Sequence, residues 1–156
     1  MADPIDVREV SGCTCLRVRR IARQLTQSYD RTLGSVELTV NQLGLLAKLY
    51  GATQGGRTGL PIGALAERLG MHATTLNREL KPLKAENLIA DTVDPTDRRV
   101  RAVTITRKGS ARLIKAVPIW RRAQRQLEET LGAETTHALN DLLDLASSKL
   151  TKKGQG

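Results

Sequence analysis

Residues 60–89 read LPIGALAERLGMHATTLNRELKPLKAENLI, and this stretch decides the fold. Pro61 suits the start of a short helix that Gly70 ends, and a second helix follows after only a few residues. Two short helices joined by a tight connection containing glycine are typical of a helix-turn-helix motif. We expect the apolar side chains of the two helices to pack against each other: Leu65, Ala66, Leu69, Leu76, Leu80 and Leu83.

The second helix of this motif presents a polar face to the outside. That face carries hydroxyl, amide and cationic side chains: Thr74, Thr75, Asn77, Arg78 and Lys81. Arginine and lysine bind guanine acceptors or phosphates, asparagine binds adenine, and threonine contacts phosphates or the thymine methyl group. We therefore interpret this face as a surface that reads duplex DNA. The alternative is a solvated polar face, as most exposed charges are.

A β-hairpin is predicted directly after the second helix. LIADTV at residues 88–93 reads as a strand that leaves the helix at Asn87, a residue that tolerates the left-handed conformation. DPTD is a turn, and RVRAVTIT at residues 99–106 reads as a second antiparallel strand. Side chains alternate between the two faces of that strand, with Val103 and Ile105 on one face and Ala102 and Thr104 on the other.

The tip of the hairpin is strongly basic. Its cations are Arg98, Arg99 and Arg101. Three arginines at one turn repel each other unless an anionic partner is present, and a narrow minor groove is where the potential of DNA is most negative. The sequence therefore predicts a winged helix-turn-helix DNA-binding domain over residues 35–107, with the hairpin as its wing.

The rest of the chain is predicted to be helical. Apolar residues recur at helical spacing in four further segments: 15–33, 39–51, 107–131 and 134–150. The second of these opens with the capping-box spacing of Thr39 and Gln42, and we expect Gly51 to end it. The predicted fold class is mainly α with a small β-hairpin wing, a winged helix-turn-helix core plus N- and C-terminal dimerisation helices.

The terminal helices predict a homodimer. Residues 1–34 and 108–150 carry apolar stripes that a compact winged core cannot fully cover, so a two-fold mate is the simplest cover. The alternative is that these helices pack only within one chain. Residues 107–125 hold seven cations and no acid, which either add to the field that attracts DNA or pair with acids of a partner chain. Residues 151–156 form a polar tail.

Charge and composition narrow the classes of partner. Twenty-five Lys and Arg against 16 Asp and Glu give a net charge of +9, which suggests a polyanionic partner. Aromatic residues are only 2% of the chain, which disfavours the stacking used on single strands. No apolar run is long enough to span a membrane, and residues 1–12 lack the basic-then-apolar order of a signal peptide, so we expect a cytoplasmic protein.

Catalytic chemistry is not indicated. Cys13 and Cys15 are the only cysteines, no CxxC or His/Cys cluster is present, and we expect no metal, no cofactor and no enzyme activity. A thiol-based redox enzyme that uses these two cysteines is an alternative. It is disfavoured because a CxC pair on one helix points its side chains about 200° apart. A non-specific architectural DNA-binding protein and a protein-docking winged helix are further alternatives.

Residues 60–89, together with DPTDRRVRAVTITRKG at residues 94–109, resemble the MarR family of winged-helix transcriptional regulators. The family's wing motif is Asp-x-Arg followed by an alternating strand, Leu-Thr and a nearby Gly, and its places are filled by Asp97, Arg99, Ile105, Thr106 and Gly109. The resemblance implies an obligate homodimer, an inverted-repeat site in double-stranded DNA, and an effector pocket between the dimerisation and DNA-binding parts. It also implies that Arg99 enters the minor groove and that Asp97 holds it in place.

The resemblance also bears on the effector. The family leans towards repressors released by small phenolic or carboxylate ligands, so we expect an effector of the aromatic acid or thioester type. One branch of the family senses hydroperoxides instead. That branch has a reactive cysteine and a tyrosine fourteen residues later, a spacing that Cys15 and Tyr29 reproduce, although its second tyrosine is replaced by Val40. Another departure lies at the start of the recognition helix, where His72 and Ala73 stand in place of the family's frequent Asp and Arg.

Overall fold

The computed structural model describes residues 7–94 and 96–153, with side chains through residue 151. The helices are α1 Val7–Ser11, α2 Thr14–Leu33, α3 Val40–Gln54, α4 Ile62–Arg68, α5 Ala73–Ala85, α6 Arg107–Leu131 and α7 Ala133–Lys153. A 3₁₀ turn, Gly34–Val36, connects α2 to α3, and the strands are β1 Leu60–Pro61, β2 Ile89–Val93 and β3 Arg101–Ile105. Three predicted pieces lie outside the described residues: residues 1–6 of the dimerisation region, Pro95 of the turn, and residues 154–156 of the polar tail.

The three strands form one antiparallel sheet in the order β1-β3-β2. The predicted hairpin of β2 and β3 is confirmed, with Ile89 opposite Ile105 and Val93 opposite Arg101. The strand β1 was not predicted, because a strand of two residues has no alternation to detect. A side chain at Gly59 would bring its Cβ within 2.8 Å of the Val103 carbonyl oxygen, so glycine lets this short strand approach β3.

The core is built almost wholly from leucines of the helix-turn-helix and its neighbours. Fully buried members include Leu33, Leu45, Leu46, Leu49, Leu60, Leu65, Leu76, Leu80, Leu83 and Leu88. The predicted packing of the two short helices is therefore confirmed, with Leu69 partly buried at the edge of the core. Because three apolar side chains of α5 point into this core, the opposite side of α5 is turned to solvent.

The helix ends predicted at Thr39 and Asn87 are confirmed, and two ends of α6 use signals of the same kind. Thr39 and Gln42 form both bonds of the capping box, Asn87 has φ of 58°, and Gly132 follows α6 with φ of 84°. Thr106 caps α6 by accepting the Gly109 N–H at 3.0 Å through Oγ1. These positions were readable because each uses a local hydrogen bond or a local backbone conformation.

Other boundaries were predicted wrongly. The helix α3 does not end at Gly51 but continues to Gln54, because Gly51 does not take a left-handed conformation and its carbonyl accepts the Gly55 N–H at 3.0 Å. The helix α7 runs to Lys153, so the first half of the predicted polar tail is helical. Ala102 and Val103, which alternation predicts on opposite faces of β3, are both buried.

Candidate nucleic-acid interface

The outward face of α5 carries most of the predicted DNA-reading residues. Thr74, Asn77, Arg78 and Lys81 are exposed, and Thr75 is half-buried at the edge of that face. The buried residues Leu76, Leu80 and Leu83 recur every three or four positions, so they fix the rotation of the helix about its axis. The structure thus brings these polar side chains together on one exposed surface.

The cations on α5 differ in whether an acidic side chain of the same chain pairs with them. Lys84 pairs with Asp91 of β2 at 2.5 Å, so its charge is engaged within the chain. Among the residues that the structure describes, no ion pair engages Arg78 or Lys81. His72 occupies the N-cap position of α5, but its side chain makes no hydrogen bond to the first turn of the helix. The capping bond that the family's frequent Asp would make is therefore not formed here. Arg78 and Lys81 are therefore the cations on this face that remain available to an anionic partner.

The C-terminal end of α5 is fixed to the first turn of α6. Three consecutive carbonyl oxygens, those of Glu86, Asn87 and Leu88, accept hydrogen bonds from Lys108 Nζ at 2.7 Å and from Thr106 Oγ1 at 2.8 and 3.1 Å. Gly109 makes this approach possible, because a Cβ there would lie 2.0 Å from the Leu88 carbonyl oxygen. The Gly of the wing motif is therefore required by packing, not by its backbone angle.

The wing turn is organised by Asp94. One carboxylate oxygen, Oδ1, accepts the Thr96 hydroxyl and the backbone N–H groups of Thr96 at 2.8 Å and Asp97 at 3.3 Å. The Thr96 hydroxyl hydrogen bond, followed by the backbone bonds and the nearby charge of Arg57, lowers the pKa of Asp94 below its ordinary value. This role of Asp94 was not predicted, although aspartate is frequent at the first position of a turn because its carboxylate accepts backbone N–H groups further along the turn.

Asp97 positions Arg99 through the main chain. Its Oδ1 accepts the backbone N–H of Arg99 at 3.0 Å, and its carbonyl accepts the Val100 N–H at 3.0 Å. Within the described part of the chain no ion pair joins the Asp97 carboxylate to the Arg99 guanidinium. The implied support of Arg99 by Asp97 thus acts on the turn, and the Arg99 side chain remains exposed together with those of Arg98 and Arg101.

A basic cleft that the sequence analysis did not predict lies beside the helix-turn-helix. It has a volume of about 470 Å³ and is lined by Lys48, Arg57 and Arg68, which come from α3, the following loop and α4. These cations are far apart in sequence, so no local pattern could have grouped them. Arg57 also lies near Asp94, which links this cleft to the base of the wing.

Two apolar clefts lie in the helical part of the molecule. A groove of about 420 Å³ between α2 and α7 is lined by Val18, Ile21, Ala22, Leu25, Leu139 and Leu143, with Arg17 at its edge. A second cleft of about 340 Å³ between α3 and α6 is lined by Val40, Leu43, Gly44, Ala47, Leu113, Val117 and Trp120. Among the described residues that line the second cleft, none carries a charged side chain.

The predicted redox pair, Cys15 and Tyr29, is not brought together within the chain. Both cysteines are exposed thiols at the start of α2, and Cys13 is its N-cap residue, so the helical separation of about 200° does not apply to the pair. The Tyr29 hydroxyl donates to Gln124 Oε1 of α6 at 2.5 Å, and burial raises its pKa. Gln124 in turn donates to Glu128 at 3.0 Å. Tyr29 therefore joins α2 to α6 in this chain.

Solved structures of known proteins match this arrangement along nearly the whole chain. The transcriptional regulator MosR of M. tuberculosis is 31% identical, covers 90% of this chain and 97% of its own, and has a TM-score of 0.74. The chain belongs to the MarR family of winged helix-turn-helix transcriptional regulators. The resemblance of residues 60–89 and 94–109 to the MarR family is thereby confirmed.

Further MarR-family structures agree. MosR in complex with DNA is 33% identical over 87% of this chain and 97% of its own, with a TM-score of 0.70. The repressor CouR bound to a 23-mer DNA duplex, at 24% identity, has a TM-score of 0.74 and covers 93% of this chain and 99% of its own. A mutant of E. coli MarR with operator DNA, at 17% identity, has a TM-score of 0.76 and covers 91% and 99%.

The likenesses of CouR and E. coli MarR concern the fold alone, whereas that of MosR extends to the sequence. The chain is accordingly a DNA-binding transcriptional regulator, and its structural neighbours are regulators, not enzymes. No family model and no curated protein matches the chain. Among the described helices, none is both long and apolar enough to cross a membrane.

Proposed function

We propose that this MarR-family protein is a homodimeric, sequence-specific repressor that binds an inverted-repeat site in duplex DNA and is released by a small molecule. The observation that carries the proposal is the face of α5, where polar and cationic side chains with no partner in the described chain stand on a helix locked by buried leucines. A rigid helix with a polar outward face suits the major groove, where base edges are distinguishable.

The wing supplies the second part of the proposed reader. Its turn is ordered by Asp94 and Asp97, and this order leaves Arg98, Arg99 and Arg101 in solvent. Arginines on an ordered hairpin suit a narrow minor groove, since they enter with little loss of backbone freedom. Arg99 is the residue that we assign to the groove, as the family motif implies.

Exposed apolar residues support the dimer, which we assign to residues 1–34 and 108–150. Large side chains along α2 and α7 are open to solvent, among them Leu16, Val18, Ile21, Leu142, Leu143 and Leu145. Val18, Ile21 and Leu143 line one apolar groove between the two helices, and an exposed apolar groove of this kind marks an interaction site. We propose that a second copy of this chain packs on this surface, because a dimer with two-fold symmetry would bury the same groove on both chains at once.

The cleft between α3 and α6 is the proposed effector site. It joins a helix of the DNA-binding part to a helix of the dimerisation part, so an occupant would bias their relative position. Because its lining offers no cation and only the Trp120 indole as a strong hydrogen-bond donor, we narrow the expected effector from an aromatic acid to an uncharged aromatic compound. The aromatic ring of a thioester also fits this description.

Binding to selected and random DNA tests the proposal. The wild-type protein would be used to select duplexes from a random-sequence library, and its affinity for the selected duplex and for random duplex would be compared at several salt concentrations. A sequence-specific regulator keeps a large preference as salt rises, because base contacts do not depend on released counterions. An architectural DNA-binding protein would show no such preference, and that result would overturn the proposal.

Oxidant sensing through Cys15 is a second candidate, supported by the exposure of both thiols at the start of α2. Against it, the Tyr29 hydroxyl is engaged by Gln124 of the same chain and is not free to stabilise a thiolate. Operator affinity before and after stoichiometric peroxide, in wild type and in Cys15→Ser, separates the two candidates. A loss of operator affinity on peroxide treatment in wild type but not in Cys15→Ser would favour Cys15 as the sensor. An equal loss in both proteins, or no loss in wild type, would exclude it.

A further inference from the structure

Arg112 of α6 joins three parts of the molecule that are distant in sequence. Its Nη1 donates to the Val36 carbonyl oxygen of the 3₁₀ turn at 3.1 Å, and its Nη2 lies 3.3 Å from Oε2 of Glu86, the C-cap residue of α5. Glu37, next to Val36, lies 3.6 Å away and is mostly exposed. From the geometry we infer that Arg112 is a positioning residue that sets the place of the recognition helix relative to the dimerisation helices.

Burial separates Arg112 from the other cations of α6. Its side chain is 18% exposed, whereas the other six cations of residues 107–125 are exposed. A guanidinium shielded from water cannot serve as a phosphate contact, and its interactions with Glu86 and Val36 are screened less than those of surface pairs. Its planar fork directs two different nitrogens at the two partners, a fixed geometry that the single nitrogen of a lysine ammonium does not have.

Arg112 also acts on ends that are already rigid. On one side, the Asp30 carboxylate accepts the Val40 N–H at 2.7 Å, which fixes the end of α2 to the start of α3 around the 3₁₀ turn. On the other side, the carbonyls of Glu86, Asn87 and Leu88 are held by Lys108 and Thr106. A connection between two stiff elements transmits a shift of one to the other, because packed elements move as units.

This inference rests on the proposed site-specific binding by a dimer, since the spacing of two recognition helices matters only there. The test compares Arg112→Gln with Lys115→Gln, which removes one exposed cation from the same helix. Both would be measured on the selected duplex, on random duplex, and on versions of the selected duplex whose half-sites are moved one or two base pairs closer or further apart.

We expect Arg112→Gln to lower affinity for the selected duplex by roughly 2- to 30-fold, leave random-duplex affinity and the salt slope unchanged, and flatten the preference among spacings. Lys115→Gln should keep the spacing preference of wild type. Retained spacing preference in Arg112→Gln would overturn the inference. A shallower salt slope would also overturn it, since that result would make Arg112 a phosphate contact.

Hydrogen exchange of the free protein gives a second readout that needs no operator. Amides of residues 83–88 should exchange faster in Arg112→Gln than in Lys115→Gln, because the end of α5 has lost one of its ties. In Arg112→Lys, the amides of residues 83–88 should be protected less than in wild type and more than in Arg112→Gln. Lysine keeps the positive charge but not the planar guanidinium. If wild type selects no sequence, the proposed function fails, and exchange at residues 83–88 still decides the role of Arg112: unchanged exchange overturns it.

Discussion

Asp97 Oδ1 accepts the backbone N–H of Arg99 at 3.0 Å, so the wing residue that we assign to the minor groove is positioned by the carboxylate two residues before it. Arg99→Ala should therefore lose most operator binding while the protein stays folded, because the side chain is exposed. Asp97→Ala should cost less, about 0.5–1.5 kcal/mol of binding free energy, the net worth of one hydrogen bond. Gel-shift titrations on the selected duplex measure both losses.

Asp97→Asn is the matched control for this pair. Its amide oxygen still accepts the Arg99 N–H, so operator affinity should stay close to that of wild type. If Asp97→Asn were as weak as Asp97→Ala, the carboxylate charge and not the hydrogen bond would support the wing. Normal binding by Arg99→Ala would leave the wing a structural element only.

The wing also illustrates what the sequence could and could not predict. Alternation, turn residues and the family motif predicted the hairpin and its exposed arginines, since these signals lie within a few residues of each other. Asp97 contacts the backbone of Arg99 and not its guanidinium. This choice depends on the geometry of the turn, which the spacing of the two residues in the sequence does not specify. Arg112, Lys48 and Arg68 were missed as site residues for a different reason: each acquires its surroundings from segments distant in the chain.

Asp94 should give the wing a pH dependence at low pH. Its pKa is lowered chiefly by the Thr96 hydroxyl hydrogen bond, so its contribution to wing order is complete above the ordinary pKa of 3.8. That contribution is lost as the pH falls through the lowered, folded-state pKa. NMR titration of the Thr96 and Asp97 amide shifts should show a midpoint below 3.8, and Asp94→Asn should abolish it. A midpoint at or above the ordinary value would contradict these hydrogen bonds.

Arg78 and Lys81 should differ in kind when replaced. Arg78→Ala should cost about 1–3 kcal/mol and relax specificity at one base pair if it pairs with a guanine, because wrong bases then become equally acceptable. Lys81→Ala should weaken selected and random duplexes alike and reduce the salt slope by about one unit. Fluorescence anisotropy at several salt concentrations distinguishes these outcomes.

Lys84→Ala is the control cation on the same helix. Because Asp91 already pairs with Lys84 at 2.5 Å, its loss should change neither specificity nor salt slope appreciably. Full operator affinity of Arg78→Ala would remove this face of α5 from base reading.

The groove between α2 and α7 should be essential for a two-fold complex. Leu143 lines that groove, so Leu143→Asp should place a charge in the proposed interface and shift the protein to monomer in sedimentation experiments. Val93→Asp, at an exposed apolar residue of β2 outside the proposed dimerisation region, should leave assembly unchanged. In footprinting, the wild-type dimer should protect inverted half-sites about 10 to 10.5 base pairs apart, centre to centre. Protection of a single unpaired half-site would contradict the dimer.

The cleft between α3 and α6 can be filled at Gly44, where an added Cβ would meet no atom within 4 Å. Gly44→Leu should therefore fold at least as well as wild type, because leucine favours a helix by up to about 1 kcal/mol over glycine, and should still bind the operator. Its response to an effector should be lost, since the new side chain occupies the cleft. Gly51→Leu is the matched control: it lies on the same helix, has equal room, and lines the basic cleft instead.

Trp120, the only tryptophan of the chain, lines the α3–α6 cleft, so its fluorescence reports occupancy directly. An aromatic methyl ester should change that emission at lower concentration than the corresponding carboxylate, because burying an unpaired charge beside Leu113 and Val117 is costly. The same ester should release wild type and Gly51→Leu from the operator, and leave Gly44→Leu bound. Tighter binding of the carboxylate would mean that a cation from outside this lining completes the site. Release of Gly44→Leu at the wild-type concentration would move the effector site elsewhere.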